Sequence, residues 1–298
     1  MSAVGRSRMG QKTLHRIWMH RQDYLWILPA FVLILFLTLY PAIFGVTISL
    51  RQYNLLALDR PFIGLENYAR FLRDPDYWYS LFLSGKFLVV TIITIVVFGL
   101  GAALLLNQKI RLRAFFRSLF MLPWVISMVA TGLIFRWMFD EHTGLINYLL
   151  SLFALGKIEW LSSPSMAFWV LVIAQVWKLS PFCMIILLAG LQSIPPEYYE
   201  AASIDGANWH SKFRFITLPF IKSPILVVMV LLSLSTFNMV DLIYVVTRGG
   251  PGNATQLISY YMYKQAFEYV DMGYASSIAI SLLLVNLALT RAYIKLLR

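Results

Sequence analysis

Charge is scarce in this sequence. Only 13% of its 298 residues are Asp, Glu, Lys or Arg, while 59% are hydrophobic and the mean hydropathy is +0.70. Soluble domains carry about 25% charged residues. One soluble core cannot hide this much apolar surface, so the composition points to a polytopic membrane protein. Cysteine is nearly absent. Cys183 stands alone in an apolar run, which excludes a disulfide frame and a Cys-based metal site and leaves a buried small hydrophobe. Histidine is sparse as well. His15, His20, His142 and His210 are dispersed outside the apolar runs. No histidine pair, Ser–His–Asp set or metal-spaced cluster emerges, so neither a catalytic site nor a metal site is expected. The sequence also lacks G-x-x-x-x-G-K-[ST]. It has no P-loop, and energy for any work must come from a partner or an ion gradient.

What charge there is runs positive, with a net value of +11. The basic residues form short clusters between apolar runs, where a membrane protein needs them. That distribution argues against a nucleic-acid partner.

Long apolar runs are abundant. Six are about 18 residues or longer, enough for a hydrocarbon core of about 30 Å. They lie near Tyr24–Leu50, Phe87–Asn107, Ser118–Phe135, Ala167–Gly190, Ser223–Val240 and Met272–Thr290. Lys178 interrupts the fourth, but Trp177–Pro181 is too short for a loop, so one helix carrying a buried or pore-facing charge is expected. In lipid each span must be helical to satisfy its own backbone. The fold class is therefore all-α, a membrane helical bundle of about six spans.

The connections differ in charge. Arg6, Arg8, Lys12, Arg16 and Arg21 precede the first span, and Lys109, Arg111, Arg113 and Arg117 follow the second. Lys212, Arg214 and Lys222 follow the fourth, and Arg291, Lys295 and Arg298 end the chain. The opposite connections are longer, carry fewer basic residues and hold most of the acids. The positive-inside rule puts both termini in the cytoplasm. The first run is about twice a 7–15-residue signal core and no A-x-A-like site follows it, so it reads as a retained helix. The expected division is a cytoplasmic segment over 1–23 and a transmembrane domain over 24–298.

One cytoplasmic connection, 191–222, stands out. Pro195 and Pro196 suit a first helical turn. Glu197 and Glu200 favour the positive end of a helix dipole. Ala201 and Ala202 are strong helix formers, and Gly206, after Asp205, suits a left-handed helix end. A short capped helix outside the bilayer follows. A second amphipathic stretch, 207–215, carries Trp209, Lys212 and Phe213. Helix logic alone leaves two readings open, a surface for docking a protein and an ordinary loop.

Glu200-Ala201-Ala202, then Gly206, then Ile216-x-Leu218-Pro219 resembles the EAA motif of permease subunits of bacterial binding-protein-dependent ABC importers. Every fixed position is filled. "FIGLENYARFL" from Phe62, "MLPWVISMVATGLIFRWMF" from Met121 and "YVVTRGGPGNAT" from Tyr244 are similar to carbohydrate-importer permeases, most of all the first permease of the maltose and glycerol-phosphate type. The chain departs from the maltose subunit in lacking its extra spans and large outer domain. The resemblance implies a type I ABC importer fold in the bacterial cytoplasmic membrane. It also implies four partners besides the bilayer: a second homologous permease, a dimer of ATP-binding-cassette ATPases that hold ATP and Mg, and an extracytoplasmic solute-binding protein. This chain would bind no cofactor. Glu200, Ala201, Ala202, Asp205, Gly206, Ile216, Leu218 and Pro219 would form the coupling site on the ATPase.

Polar groups inside a membrane are costly and tend to mark pathways. Gln175 and Lys178 in the fourth span, and Asn238, Asp241 and Tyr244 around the outer end of the fifth, are candidates for the solute path; Asn286 is a weaker one. Lys178 could instead snorkel or pair, and Asp241 could be a rim charge. Trp124, Trp137, Trp169, Trp177, Tyr244, Tyr260 and Tyr261 could stack on sugar or form the interfacial belt. The turn-rich loop 247–253 faces outward as a contact, a gate or a connector. An ion-gradient-driven secondary transporter is the alternative reading, weakened because no carboxylate lies mid-span.

Overall fold

The computed structural model describes residues 21–108 and 110–297. Residues 1–20, which hold most of the expected cytoplasmic segment and its basic residues, lie outside the described residues, as do Lys109 and Arg298. Among the described residues four helices are long and apolar enough to cross a membrane: Trp26–Ser49, Pro75–Asn107, Pro164–Gln192 and Met272–Leu296. Two further crossings are possible as bent pairs, so the count is four to six. The first crossing joins α1 (Arg21–Ile34) to α2 (Tyr40–Ser49) through a π-helical turn. α3 (Glu66–Arg73) follows, and α4 (Pro75–Asn107) is the longest helix among the described residues.

α4 begins before the apolar run at Phe87 because Asp74 caps it. The Asp74 carboxylate accepts the Asp76 N–H at 2.9 Å, and Pro75 fills the first turn. These residues stop the orphan N–H groups from fraying the helix.

α5 (Arg113–Val125), α6 (Met128–Met138) and α7 (Leu145–Leu152) come next, then α8 (Pro164–Gln192). α4 and α8 are the central pair and run parallel, with Phe87 against Phe168 near one end and Gly99 against Cys183 further along. A Cβ on Gly99 would lie 2.6 Å from the Cys183 Sγ. The missing side chain allows the helices to touch, as small residues do in lipid, where packing replaces the hydrophobic effect. Gly190 plays the same part against Pro224. Cys183 is fully buried there, as its apolar surroundings predict.

The run Ser118–Phe135, expected as one straight span, is broken. α5 and α6 meet at 92°. Pro123 removes an N–H near the end of α5, Ile126 is extended, and the Ser127 Oγ caps α6 by accepting the Ala130 N–H at 3.2 Å. The continuous hydrophobicity hid a proline and a cap that together end one helix and start another.

A break at this depth strands carbonyl groups. Lys178 meets them. Its Nζ donates to the carbonyls of Pro123 at 3.2 Å, Trp124 at 2.9 Å and Ile126. The ammonium also stands at the negative end of α5, where a cation is favoured. α8 itself passes through Lys178 unbroken, as expected.

After α8 come α9 (Pro196–Ile204) and α10 (Trp209–Lys212), a π-helical turn at Phe213–Thr217, and α11 (Leu218–Phe220). α12 (Lys222–Phe237), α13 (Asp241–Val246), α14 (Ile258–Tyr263) and α15 (Met272–Leu297) complete the bundle. The Ser233 and Tyr293 hydroxyls hydrogen-bond at 2.9 Å between α12 and α15.

Asp74 ties the start of α4 to α14 and α15. Its carboxylate accepts the hydroxyls of Tyr261 and, at 2.5 Å, Tyr274. Arg70 pairs with Asp271 at 2.6 Å and lies over the Tyr274 ring at 4.0 Å. Burial pushes the Asp74 pKa up, but the hydrogen bonds from Tyr261, Tyr274 and the backbone at Asp76 and Tyr77 outweigh it and hold the carboxyl below its ordinary value.

Two predictions follow from these contacts. Lys178→Met should cost about 1–3 kcal/mol for each carbonyl left without a partner, read as a lower unfolding temperature and faster proteolysis near Ile126; an unchanged protein would contradict the capping role. Asp74 has a depressed folded pKa, so its contribution is present above the unfolded carboxylate pKa and is lost as pH falls through the folded one. Asp74→Asn should therefore destabilise the junction of α4, α14 and α15 at neutral pH, and the gap to wild type in thermal unfolding should close only in strong acid.

Candidate functional site

α9 is built as its sequence dictates. Pro196 occupies the first turn and Glu197 stands beside the positive end of the dipole. Gly206 takes φ +74°. The Ala207 N–H donates to the Ala202 carbonyl at 2.8 Å and the Gly206 N–H to the Ser203 carbonyl at 3.2 Å. This paired closure is a Schellman motif, which needs a left-handed residue at the Gly206 position. Nothing lies within 4 Å of the place a Gly206 Cβ would take, so the glycine serves the turn and not a close contact.

The next helix starts at once. The Asn208 Oδ1 accepts the Ser211 N–H at 2.9 Å. The Lys212 Nζ donates to the Ser203 Oγ at 2.7 Å, tying α10 back to α9. The Tyr199 and Thr217 hydroxyls join at 2.9 Å, with Thr217 buried. Tyr199 and Ile216 pack against the main core. α9 is thus riveted to the bundle on one side.

Its other side is open. Glu200, Ala201, Asp205 and Gly206 are exposed. So are Ile204 at 87% and Trp209 at 70%. The motif residues therefore divide. Glu200, Ala201, Asp205 and Gly206 form an outward face, Ala202 is half-buried, and Ile216, also half-buried, belongs to the anchor; Leu218 and Pro219 lead into α12 and remain exposed. Sequence reasoning passed over Ile204 and Tyr199. An isoleucine at the end of a polar helix was the available signal for the first. The second is visible only from the Thr217 contact.

The five candidate pathway residues are not brought together. Lys178 is occupied at the α5–α6 break. Gln175 is fully buried, with neither amide atom hydrogen-bonded. Asn238, Asp241 and Tyr244 share the exposed corner where α12 passes into α13. Asn238 donates to the Leu234 carbonyl at 2.8 Å. The Tyr244 ring stands 5.7 Å from Tyr263 and 6.4 Å from Tyr260. Tyr260 and Tyr261 are 2% and 5% exposed, so these two are interior groups and not belt residues. Trp124, Trp137, Trp169 and Trp177 are exposed, as belt residues are.

The loop 247–255 is tightly folded. Gly249 has φ +79°, and a Cβ there would lie 2.9 Å from the Tyr260 ring. The Thr255 hydroxyl holds the Gly250 carbonyl and the Thr247 hydroxyl, both at 2.7 Å. Among the described residues no three of His, Cys, Asp and Glu converge as a metal site.

Comparison with known proteins agrees with this geometry. The chain is 37% identical over 275 residues to the trehalose/maltose transport system permease protein of Thermococcus litoralis, covering 91% of this chain and 92% of that one. It is 32% identical over 271 residues to the sulfoquinovosyl glycerol transport system permease protein of Agrobacterium fabrum, covering 91% and 88%. Its fold matches a chain of a bacterial ABC transporter that imports the acidic polysaccharide alginate, with a TM-score of 0.83 at 22% identity over 96% of this chain and 98% of that one. Residues 95–296 match the family model for the inner membrane component of binding-protein-dependent transport systems. The chain belongs to that family of multi-pass membrane permeases.

Proposed function

We propose that this chain is one of two permeases in an importer that carries a carbohydrate or related solute into the cytoplasm, driven by ATP hydrolysis on partner subunits. The observation that carries the coupling half of this reading is the two-sided build of α9. One side is bonded to the bundle through Tyr199–Thr217 and Ile216, and the other presents Ile204, Ala201 and Glu200 with no partner. A short helix that is anchored on one side and open on the other, with an apolar Ile204 beside a charged Glu200, suits a cleft on an ATPase. The carbohydrate half rests on the two relatives, both named for sugar-containing solutes.

The mechanism is linkage between two global states. ATP binding closes the ATPase dimer, α9 moves with it, and the Tyr199–Thr217 bond passes that motion to α12. The bundle then opens outward to a solute delivered by the extracytoplasmic binding protein. Only the difference in ATPase affinity for the two states can do this work. Glu200 supplies a charge-assisted contact, while Ala201 and Ala202 permit close approach. Asn238, Asp241 and Tyr244 form the solute-facing corner. ATP and Mg stay on the partner, and this chain holds no cofactor. Both termini and α9 lie on the cytoplasmic side.

The test is co-expression with neighbouring genes, purification by this chain, and ATPase assay with candidate binding proteins. Solute-dependent hydrolysis by a complex holding an ATPase and a second permease is expected. A chain that purifies alone and moves solute under an ion gradient without ATP would overturn the reading. Ile204→Asp should cost about 2 kcal/mol or more at such an interface, seen as loss of the ATPase from the purified complex. Tyr199→Phe should leave assembly intact and lower solute-stimulated hydrolysis about fivefold, the value of about 1 kcal/mol of coupling.

A further inference from the structure

The chain reaches α9 and leaves it at two points that lie side by side. It enters from the end of α8 through Ser193–Pro195 and returns to α12 through Ile221. Between these points residues 196–220 are knitted together. Lys212 bonds to Ser203 at 2.7 Å, the Tyr199 and Thr217 hydroxyls meet at 2.9 Å, and the Tyr198 and Phe220 rings stand 5.1 Å apart.

The return is sharply bent. The helical stretches Trp209–Phe220 and Lys222–Phe237 meet at 61°. Two prolines account for this. In a regular α-helix the Pro219 ring would press on the Phe215 carbonyl, and a π-helical turn over Phe213–Thr217 widens the backbone there. Pro224 stands in the same relation to the Phe220 carbonyl, and the helix breaks at Ile221. No side-chain cap holds the start of α12, so the angle of the elbow is set by packing.

α8 supplies that packing. A Cβ on Gly190 would lie 2.6 Å from the Pro224 Cγ and 3.7 Å from the Ile221 Cγ2. The pyrrolidine ring cannot rotate away, so a larger residue at 190 must part the two helices. Ile221 is fully buried, in the core cluster that holds Leu187, Leu188 and Leu191 of α8. Entry and exit of the α9 segment thus close on one contact, a bare backbone against a rigid ring.

We propose that Gly190 is a positioning residue for coupling. By seating Pro224 directly on the end of α8, it makes α8 and α12 one body, so that a displacement of α9 reaches both at once. The proposal rests on the coupling role given to α9 above. The physical reason is slack. An elbow broken by two prolines has few intrahelical bonds to resist bending, and without the contact α9 could turn about it while α8 stayed still. Close packing removes that freedom and transmits the strain. α8 also carries Lys178, so the same displacement is passed on to the α5–α6 break.

The test compares Gly190→Leu with a reversible lock of the same contact, both in the assembled transporter. Gly190→Leu should keep the ATPase in the complex with its basal hydrolysis. It should lower the stimulation of hydrolysis by solute at least about fivefold, the low end of ordinary coupling between sites. A merely structural glycine would lower the unfolding temperature and leave that stimulation as in wild type, which would overturn the proposal. For the lock, Gly190→Cys is combined with Pro224→Cys, and the buried Cys183 is left in place. The two Cβ positions lie 3.2 Å apart, near the roughly 3.5–4.5 Å that a disulfide spans. Oxidation should leave solute-stimulated hydrolysis at its level in the reduced protein, because a joint that stays closed is unaffected by being fixed. Loss of stimulation on oxidation, restored by reductant, would show that the joint opens in every cycle and would also overturn the proposal. A wild-type complex without the ATPase would instead sink the coupling reading itself, before either variant is compared.

Discussion

The fold depends on one constraint, that a backbone inside lipid must satisfy its own polar groups. Most of the chain meets it by being helical. Where α5 gives way to α6, helix geometry fails, and the Lys178 ammonium supplies the missing donors to three carbonyls. That contact fixes α5 to α8 and lets the chain turn through 92°. The turn allows α6 to lie against α13, where Gly132 admits Val245 closely. A charge that costs free energy on its own thus makes a bent crossing possible.

A second constraint governs the α9 end of the bundle. The proposed coupling role asks that α9 be firm enough to carry a displacement and open enough to receive a partner. The Schellman closure at Gly206 and the Asn208 cap stiffen the corner without burying it. The Tyr199–Thr217 bond and the Tyr198–Phe220 ring contact attach it to the segment that leads into α12. Ile204 and Trp209 leave exposed apolar surface beside the open side of α9.

The sequence made α9 legible because local rules decide it. Proline at a first turn, acids near a positive end and glycine at a left-handed position act within a few residues and need no tertiary context. The long spans were legible for the same reason. Three features were not. The α5–α6 break was masked because hydropathy averages over Pro123 and Ser127. The use of Lys178 depends on carbonyls more than fifty residues earlier in the chain. Tyr260 and Tyr261 look like belt residues until Asp74, from another helix, is seen to hold the second. Local chemistry fixed the elements, and distant pairing fixed what the polar groups inside them do.

The most direct measurement uses the single native cysteine, Cys183, which is buried and silent. A cysteine placed at Ile204 in the assembled transporter, treated with a short bifunctional crosslinker, should join this chain to the ATPase subunit, and the yield should change when ATP is bound. A cysteine at Tyr244 should give no such product. A fully active transporter in which the Ile204 position never crosslinks to the ATPase would contradict the account, because α9 would then not be the surface through which ATP hydrolysis reaches the bundle.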